Sequence, residues 1–224
     1  MAQIDKNTVE AVNQLKNKFV FINEKDNADL KIMFVGNSIT LHGVKEDIGW
    51  YNAWGMAASS EENDYVHRIV NQLESSCKRV SYCICQVSVW ETKYKNGSEI
   101  LDTYKSARDF GADIIVMRCI ENCPGTDFDG NIFEKEYENL ISYLNSNNAE
   151  IVITTGFWHH PGDENIKNIA DKLNVKCICL GDLGEDDKMM AKGLFEHDGV
   201  AMHPGDLGMK NIAERILNAI ENKL

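Results

Sequence analysis

The feature that most constrains this chain is a regular alternation of short apolar runs with amphipathic segments. Runs at 29–36, 80–87, 113–119, 150–155 and 175–180 are the right length for buried strands. Between them, 61–77, 99–110, 133–145 and 163–173 carry apolar residues at helical spacing. A final stripe of Met209, Ile212, Ala213, Ile216, Leu217 and Ile220 follows Asp206, a candidate N-cap. Strands alternating with helices mean βαβ units and a mostly parallel sheet covered on both faces. Right-handed crossovers make a three-layer α/β/α sandwich of five parallel strands the expected fold. No linker, repeat or low-complexity tract divides the 224 residues, so they are read as one domain, 1–224. Residues 1–28 form a lead-in helix (Val9, Val12, Leu15 and Phe19 at helical spacing over 7–19) and a linker.

The net charge of −12 argues against a nucleic-acid or anionic-membrane partner, because both reward an excess of Lys and Arg. No run approaches the roughly 18 apolar residues that span a bilayer, and the first residues lack the basic head and apolar stretch of a signal peptide. Seven cysteines, an odd number and mostly within apolar runs, fit reduced thiols better than a disulfide framework. A cytoplasmic location is expected. Cys83 with Cys85, and Cys177 with Cys179, fall at i and i+2 on strands and read as small buried residues; His159 and His160 are neighbours whose side chains diverge. No metal site or cofactor is expected. A flavin is disfavoured because no Gly/Ser/Thr-rich loop follows the first strand.

In such sheets, functional groups gather beyond the carboxyl ends of the strands. The first strand runs into Gly36-Asn37-Ser38-Ile39-Thr40, where Gly36 allows a sharp turn and Ser38 falls at the sheet edge. Thr40 stands where the α/β-hydrolase nucleophile elbow has its second glycine, so that motif is absent. The third strand ends in Arg118-Cys119-Ile120-Glu121-Asn122, and the Asn122 side chain has an N–H to offer an oxyanion. Near the C-terminus, Pro204 biases His203 toward an extended loop before the last helix, and its imidazole is suited to accept a hydroxyl proton. Taken singly, each of these residues is as readily a turn or surface residue; together they mark one edge of the sheet.

Gly36-Asn37-Ser38, Asn122 and His203-Pro204, in that order from about residue 30 to the end, resemble the conserved blocks of the SGNH (GDSL-like) hydrolases. The resemblance implies a flavodoxin-like strand order 2-1-3-4-5 and hydrolysis of an ester or acetyl group. It makes Ser38 the nucleophile, His203 its base, and the Ser38 N–H and Asn122 amide oxyanion donors. Three departures stand out. Val200 occupies the usual Asp position three residues before the histidine, leaving Asp198, Glu196 or no acid at all to orient His203; Asp198 is the preferred substitute. The third block reads Ile120-Glu121-Asn122-Cys123. The second block, Gln86-Val87-Ser88-Val89-Trp90-Glu91, has no glycine, so a backbone N–H of Ser88 or Val89 is the candidate second-block donor. Asn37, Trp54, Glu121 and Trp158 are expected to line the substrate pocket, where aromatic rings suit an acyl group or a sugar face. The expected partner is thus a small-molecule ester, with an acylated sugar as one class; a non-catalytic ligand-binding protein on the same fold is the alternative. The oligomeric state is left open.

Overall fold

The computed structural model describes residues 19–76 and 79–220. The expected lead-in helix over 7–19 therefore lies, but for Phe19, outside the described residues. Six strands form one sheet: β1 (Val20–Asn23), β2 (Leu30–Gly36), β3 (Val80–Gln86), β4 (Ile114–Arg118), β5 (Glu150–Thr154) and β6 (Lys176–Ile178). Their order is β1-β3-β2-β4-β5-β6. All neighbours run parallel except β1, which pairs antiparallel with β3 in the register Val20 to Cys85 and Asn23 to Tyr82. The expected count of five is thus corrected to six, and residues 20–23, read as linker, are an edge strand. Four residues leading into the charged stretch 24–29 are too few to show alternation, and only the open edge of β3 selects them.

Period-2 alternation assigns each strand residue to a face. Ile32 and Phe34 join Ile84, Val116 and Val152 under α1 (Tyr65–Ser75) and the long C-terminal helix Asp206–Ile220. Met33 and Val35 join Cys83, Cys85, Ile115, Met117 and Ile153 on the opposite face. Four helices contribute there: α2 (Ser88–Thr92), α3 (Lys105–Phe110), α4 (Gly130–Leu144) and α5 (Asp163–Leu173). Asp64 and Asp129 cap α1 and α4 by accepting the N–H groups of His67 and Ile132. The helix expected over 99–110 is a kinked 3₁₀ stretch, Tyr94–Tyr104, leading into α3, which ends on left-handed Gly111. Cys83 and Cys85 are buried as expected, whereas Cys179 is exposed because β6 stops one residue before it.

A third, smaller apolar cluster joins two loops over the carboxyl edge of the sheet. Ile48, Trp50, Met56 and Ala57 from the Trp-rich segment after Ser38 pack on Ala191 and Val200. Val200 lies in the short helix α6 (Asp198–Ala201), which precedes His203 and the last helix, α7 (Asp206–Ile220). Asp206 is itself the first residue of α7, and its carboxylate takes the N–H and hydroxyl of Ser59 from the same loop region. Among the described residues no helix is long and apolar enough to cross a membrane.

Candidate active site

β2 ends at Gly36, where a Cβ would lie 1.9 Å from the Thr40 hydroxyl and 2.9 Å from the Arg118 carbonyl oxygen. Only glycine lets the chain turn this tightly. Thr40 and Leu41 both donate their N–H groups to the Asn37 carbonyl, closing a turn that leaves Ser38 part-exposed above it. The Ser38 carbonyl accepts the Met56 N–H at 2.9 Å, tying this turn to the Trp-rich loop. The Ser38 hydroxyl lies 2.8 Å from Nε2 of His203 although 165 residues separate them.

Nδ1 of His203 lies 2.6 Å from the carbonyl oxygen of Gly199. A carbonyl only accepts, so Nδ1 carries the proton, and in the neutral ring Nε2 is left as the acceptor facing Ser38. Burial, only partly offset by the Gly199 bond, lowers the His203 pKa to about 4, so the ring is neutral at pH 7. Asp198, expected to orient this histidine, does not. It is exposed at the start of α6, and Glu196 is exposed as well. Val200, where the carboxylate would stand, is fully buried in the third apolar cluster, so an Asp there would meet hydrocarbon. Asp198→Asn is accordingly expected to leave kcat within about threefold of wild type on a simple ester. A loss nearer the roughly 10⁴-fold seen when a triad carboxylate is neutralised would restore the acid role.

Beneath Ser38 lies a buried polar network. Asn37 donates both amide N–H groups, to Glu91 (2.9 Å) and to Glu121 (2.6 Å), and its Oδ1 accepts from Arg118 at 2.5 Å. Arg118 also donates to Glu121 at 2.5 Å, and the Phe157 N–H donates to the same oxygen at 3.0 Å. Asn122 donates to the second Glu91 oxygen at 2.6 Å. Burial, reinforced by the negative Glu121, raises the Glu91 pKa to about 7. For Glu121, burial is outweighed by Arg118 and the Phe157 N–H, which hold its carboxyl below the usual range. Asn37 and Glu121 therefore form the floor of the site and not a pocket wall, because their polar atoms are spent on one another.

The expected aromatic wall divides in two. Trp158 stands edge-on to His203, ring centroids 5.6 Å apart, whereas Trp54 donates to the Ala58 carbonyl and packs against Trp50. The Ser88 N–H and hydroxyl both go to the Gln86 side chain, so that N–H is not free for an oxyanion. Val89 follows it in the first turn of α2, where N–H groups have no intrahelical partner by geometry. His159 faces Glu185 and His160 the Cys123 carbonyl, and among the described residues no group of three His, Cys, Asp or Glu side chains could hold a metal ion.

No protein-family model and no curated protein matches the sequence. Solved structures do. A lipase/acylhydrolase from Enterococcus faecalis superposes with a TM-score of 0.59 at 14% identity, covering 87% of this chain and 97% of its own. A psychrotrophic esterase from Pseudoalteromonas sp. gives 0.56 at 10% identity, covering 87% and 98%. The chain has the fold of the SGNH (GDSL-like) esterases. A two-domain esterase active on acetylated mannans shares this SGNH fold over 86% of this chain and 48% of its own, with a TM-score of 0.57 at 14% identity.

Sequence reasoning overlooked three members of the site: Glu91, Arg118 and Gly199. Arg118 did leave a signal, since a charge ending the apolar run Ile114–Arg118 has to find a partner when buried. Glu91 reads as an ordinary helix residue, and Gly199 contributes a backbone atom that any residue would supply.

His42 is fully buried, and burial lowers its pKa to about 4, as for His203. Both therefore bind fewer protons in the native state than in the unfolded chain between about pH 4 and 6.5, and stability falls as pH drops through that window. Glu91 acts oppositely: raised to about 7, it favours the native state below that pH and loses the contribution as pH rises. His67, also raised, acts with Glu91, whereas the lowered carboxyl of Glu121 acts with the two histidines, and a net loss of stability is expected between pH 7 and 4.5. Urea midpoints across that range check it; a midpoint that climbs toward pH 4.5 would contradict the assignment.

Proposed function

We propose that this chain is a carboxylic ester hydrolase in which Ser38 and His203 act as a dyad. The observation that carries the reading is the 2.8 Å approach of the Ser38 hydroxyl to an Nε2 whose lone pair is fixed by the Gly199 carbonyl. As Oγ bonds to the acyl carbon, its proton passes to Nε2; the oxyanion that forms is met by the Ser38 N–H and the Asn122 amide. The C–O bond to the leaving alcohol then breaks and Nε2 returns the proton to it. Water repeats the sequence on the acyl-enzyme and frees Ser38.

A neutral carbonyl steadies the imidazolium less than a carboxylate does, since it brings a dipole and not a full negative charge to the cation. Catalysis here leans correspondingly on the oxyanion donors. An acyl group borne on a sugar is the substrate class we favour. Trp158 sets an aromatic edge beside His203, and a fold neighbour is active on acetylated mannans.

The test is hydrolysis of p-nitrophenyl acetate and of acetylated manno-oligosaccharides, with a fluorophosphonate label located by mass spectrometry. Turnover with the label on Ser38 is expected. Cleavage of the simple ester alone would remove the sugar assignment. Neither turnover nor label would favour a ligand-binding protein on the same fold.

A further inference from the structure

Few donors remain to meet an oxyanion. The Ser88 N–H is spent on Gln86, and Asn37 spends both of its amide hydrogens on carboxylates. Asn122 has two amide hydrogens, and one is committed to Glu91 at 2.6 Å. Fixing one N–H of a planar amide fixes the direction of the other.

Glu91 is fully buried, and each of its oxygens accepts from a different asparagine: Asn37 from the turn after β2, Asn122 from the loop after β4. Only the carboxylate satisfies both donors. The protonated acid would point its O–H at an N–H, and Asn122 would have to turn its amide over to accept it. Arg118 is the cation shared by Glu91 and Glu121, so ionised Glu91 leaves the network with excess negative charge. Such an arrangement costs stability.

We propose that Glu91 is a positioning residue whose ionised carboxylate clamps the Asn122 amide so that its second N–H faces the oxyanion formed at Ser38. The inference rests on the esterase reading. The titratable groups around Glu91 are Arg118 and Cys119 at the end of β4, Glu121 and Cys123 in the loop beyond, Tyr104 before α3, and Tyr137 on α4. Burial raises the two thiols and two phenols, keeping them neutral, so Arg118 and Glu121 are the charges that act on Glu91. With Glu91 raised by burial and Glu121, kcat should climb as Glu91 deprotonates, at a pH above the ionisation of His203.

The experiment is a double-mutant cycle on p-nitrophenyl acetate with E91Q, N122A and both together, each checked by thermal melting. Glutamine keeps the shape but can accept at only one terminal atom. E91Q is expected to lower kcat about 10- to 100-fold with KM within about threefold, and to remove the neutral-range ionisation from the kcat–pH profile. In the N122A background E91Q should add less than about threefold, because its route to the reaction is gone. Equal factors in both backgrounds, or an unaltered pH profile, would overturn the clamp. If E91Q melts below assay temperature, N122A alone decides: it must also lose the neutral-range ionisation. Should Ser38→Ala keep wild-type turnover, the esterase reading falls and takes the clamp with it. Ser38-dependent turnover with an additive cycle removes the clamp alone.

Discussion

Ser38→Ala and His203→Ala, made singly, are each expected to lower kcat on a simple ester by at least about 10³-fold, and the double variant to fall no further than the worse single. In the proposed dyad the two side chains, which meet at 2.8 Å, share one proton, so removing either removes the same step. Without Ser38 there is no atom to carry the acyl group. Without His203 the hydroxyl keeps its proton, because no other base is in contact with Oγ among the described hydrogen bonds. The residual activity should be that of the oxyanion donors and binding acting on water, which is why the losses do not multiply. The fluorophosphonate label should vanish in Ser38→Ala and slow sharply in His203→Ala. Wild-type rates in Ser38→Ala would dismiss the mechanism, and multiplying losses would show that the two residues act in separate steps.

Gly36→Ala should damage both stability and activity. Its Cβ would sit 1.9 Å from the Thr40 hydroxyl, which is itself bonded to the Tyr65 hydroxyl at 2.8 Å. Thr40 could swing aside only by giving up that bond, and the Arg118 carbonyl at 2.9 Å belongs to a strand and cannot move alone. Gly36 is also paired in register with both Gln86 and Arg118. Overpacking of this kind costs about 1 to 3 kcal/mol, and the rigid surroundings place Gly36→Ala at the upper end. For a chain of this size that is a fall in melting temperature of roughly 6 to 12 °C. Activity should drop more than stability suggests, at least about 100-fold, because the displacement passes straight to Ser38 two residues on. Gly49→Ala supplies the contrast: its φ of +72° carries the strain of a left-handed residue, but nothing lies within 4 Å of its Cβ. It should cost about 1 kcal/mol and little activity. Equal effects at the two glycines would mean that Gly36 is no tighter than an ordinary turn.

Much of the architecture is legible in the residues because it rests on local periodicity. Ile32 and Phe34 must face one way and Met33 and Val35 the other in any extended strand, and apolar residues on both sides require two covering layers. Helix α5 begins and ends where its periodicity does, Asp163–Leu173. Strand β1 is not legible because its pairing is made by β3, sixty residues on in sequence. The same limit applies to the site. Ser38 and His203 can be named because each sits beside a marker of backbone geometry, Gly36 and Pro204. What holds them has no such marker.

The sequence by itself determined the order of strands and helices along the chain, the edge of the sheet where chemistry gathers, and the residue types able to act there, since these follow from spacing and side-chain chemistry alone. The tertiary structure decided which atoms meet. It put the Gly199 carbonyl where a carboxylate was expected, because packing on Trp50 and Met56 makes position 200 hydrocarbon. It turned Asn37 and Glu121 from pocket lining into a buried floor, and brought Glu91 to Asn122 from a separate element. Periodicity is a property of neighbours along the chain, whereas a hydrogen bond between distant residues depends on a direction and a distance that only the folded backbone supplies.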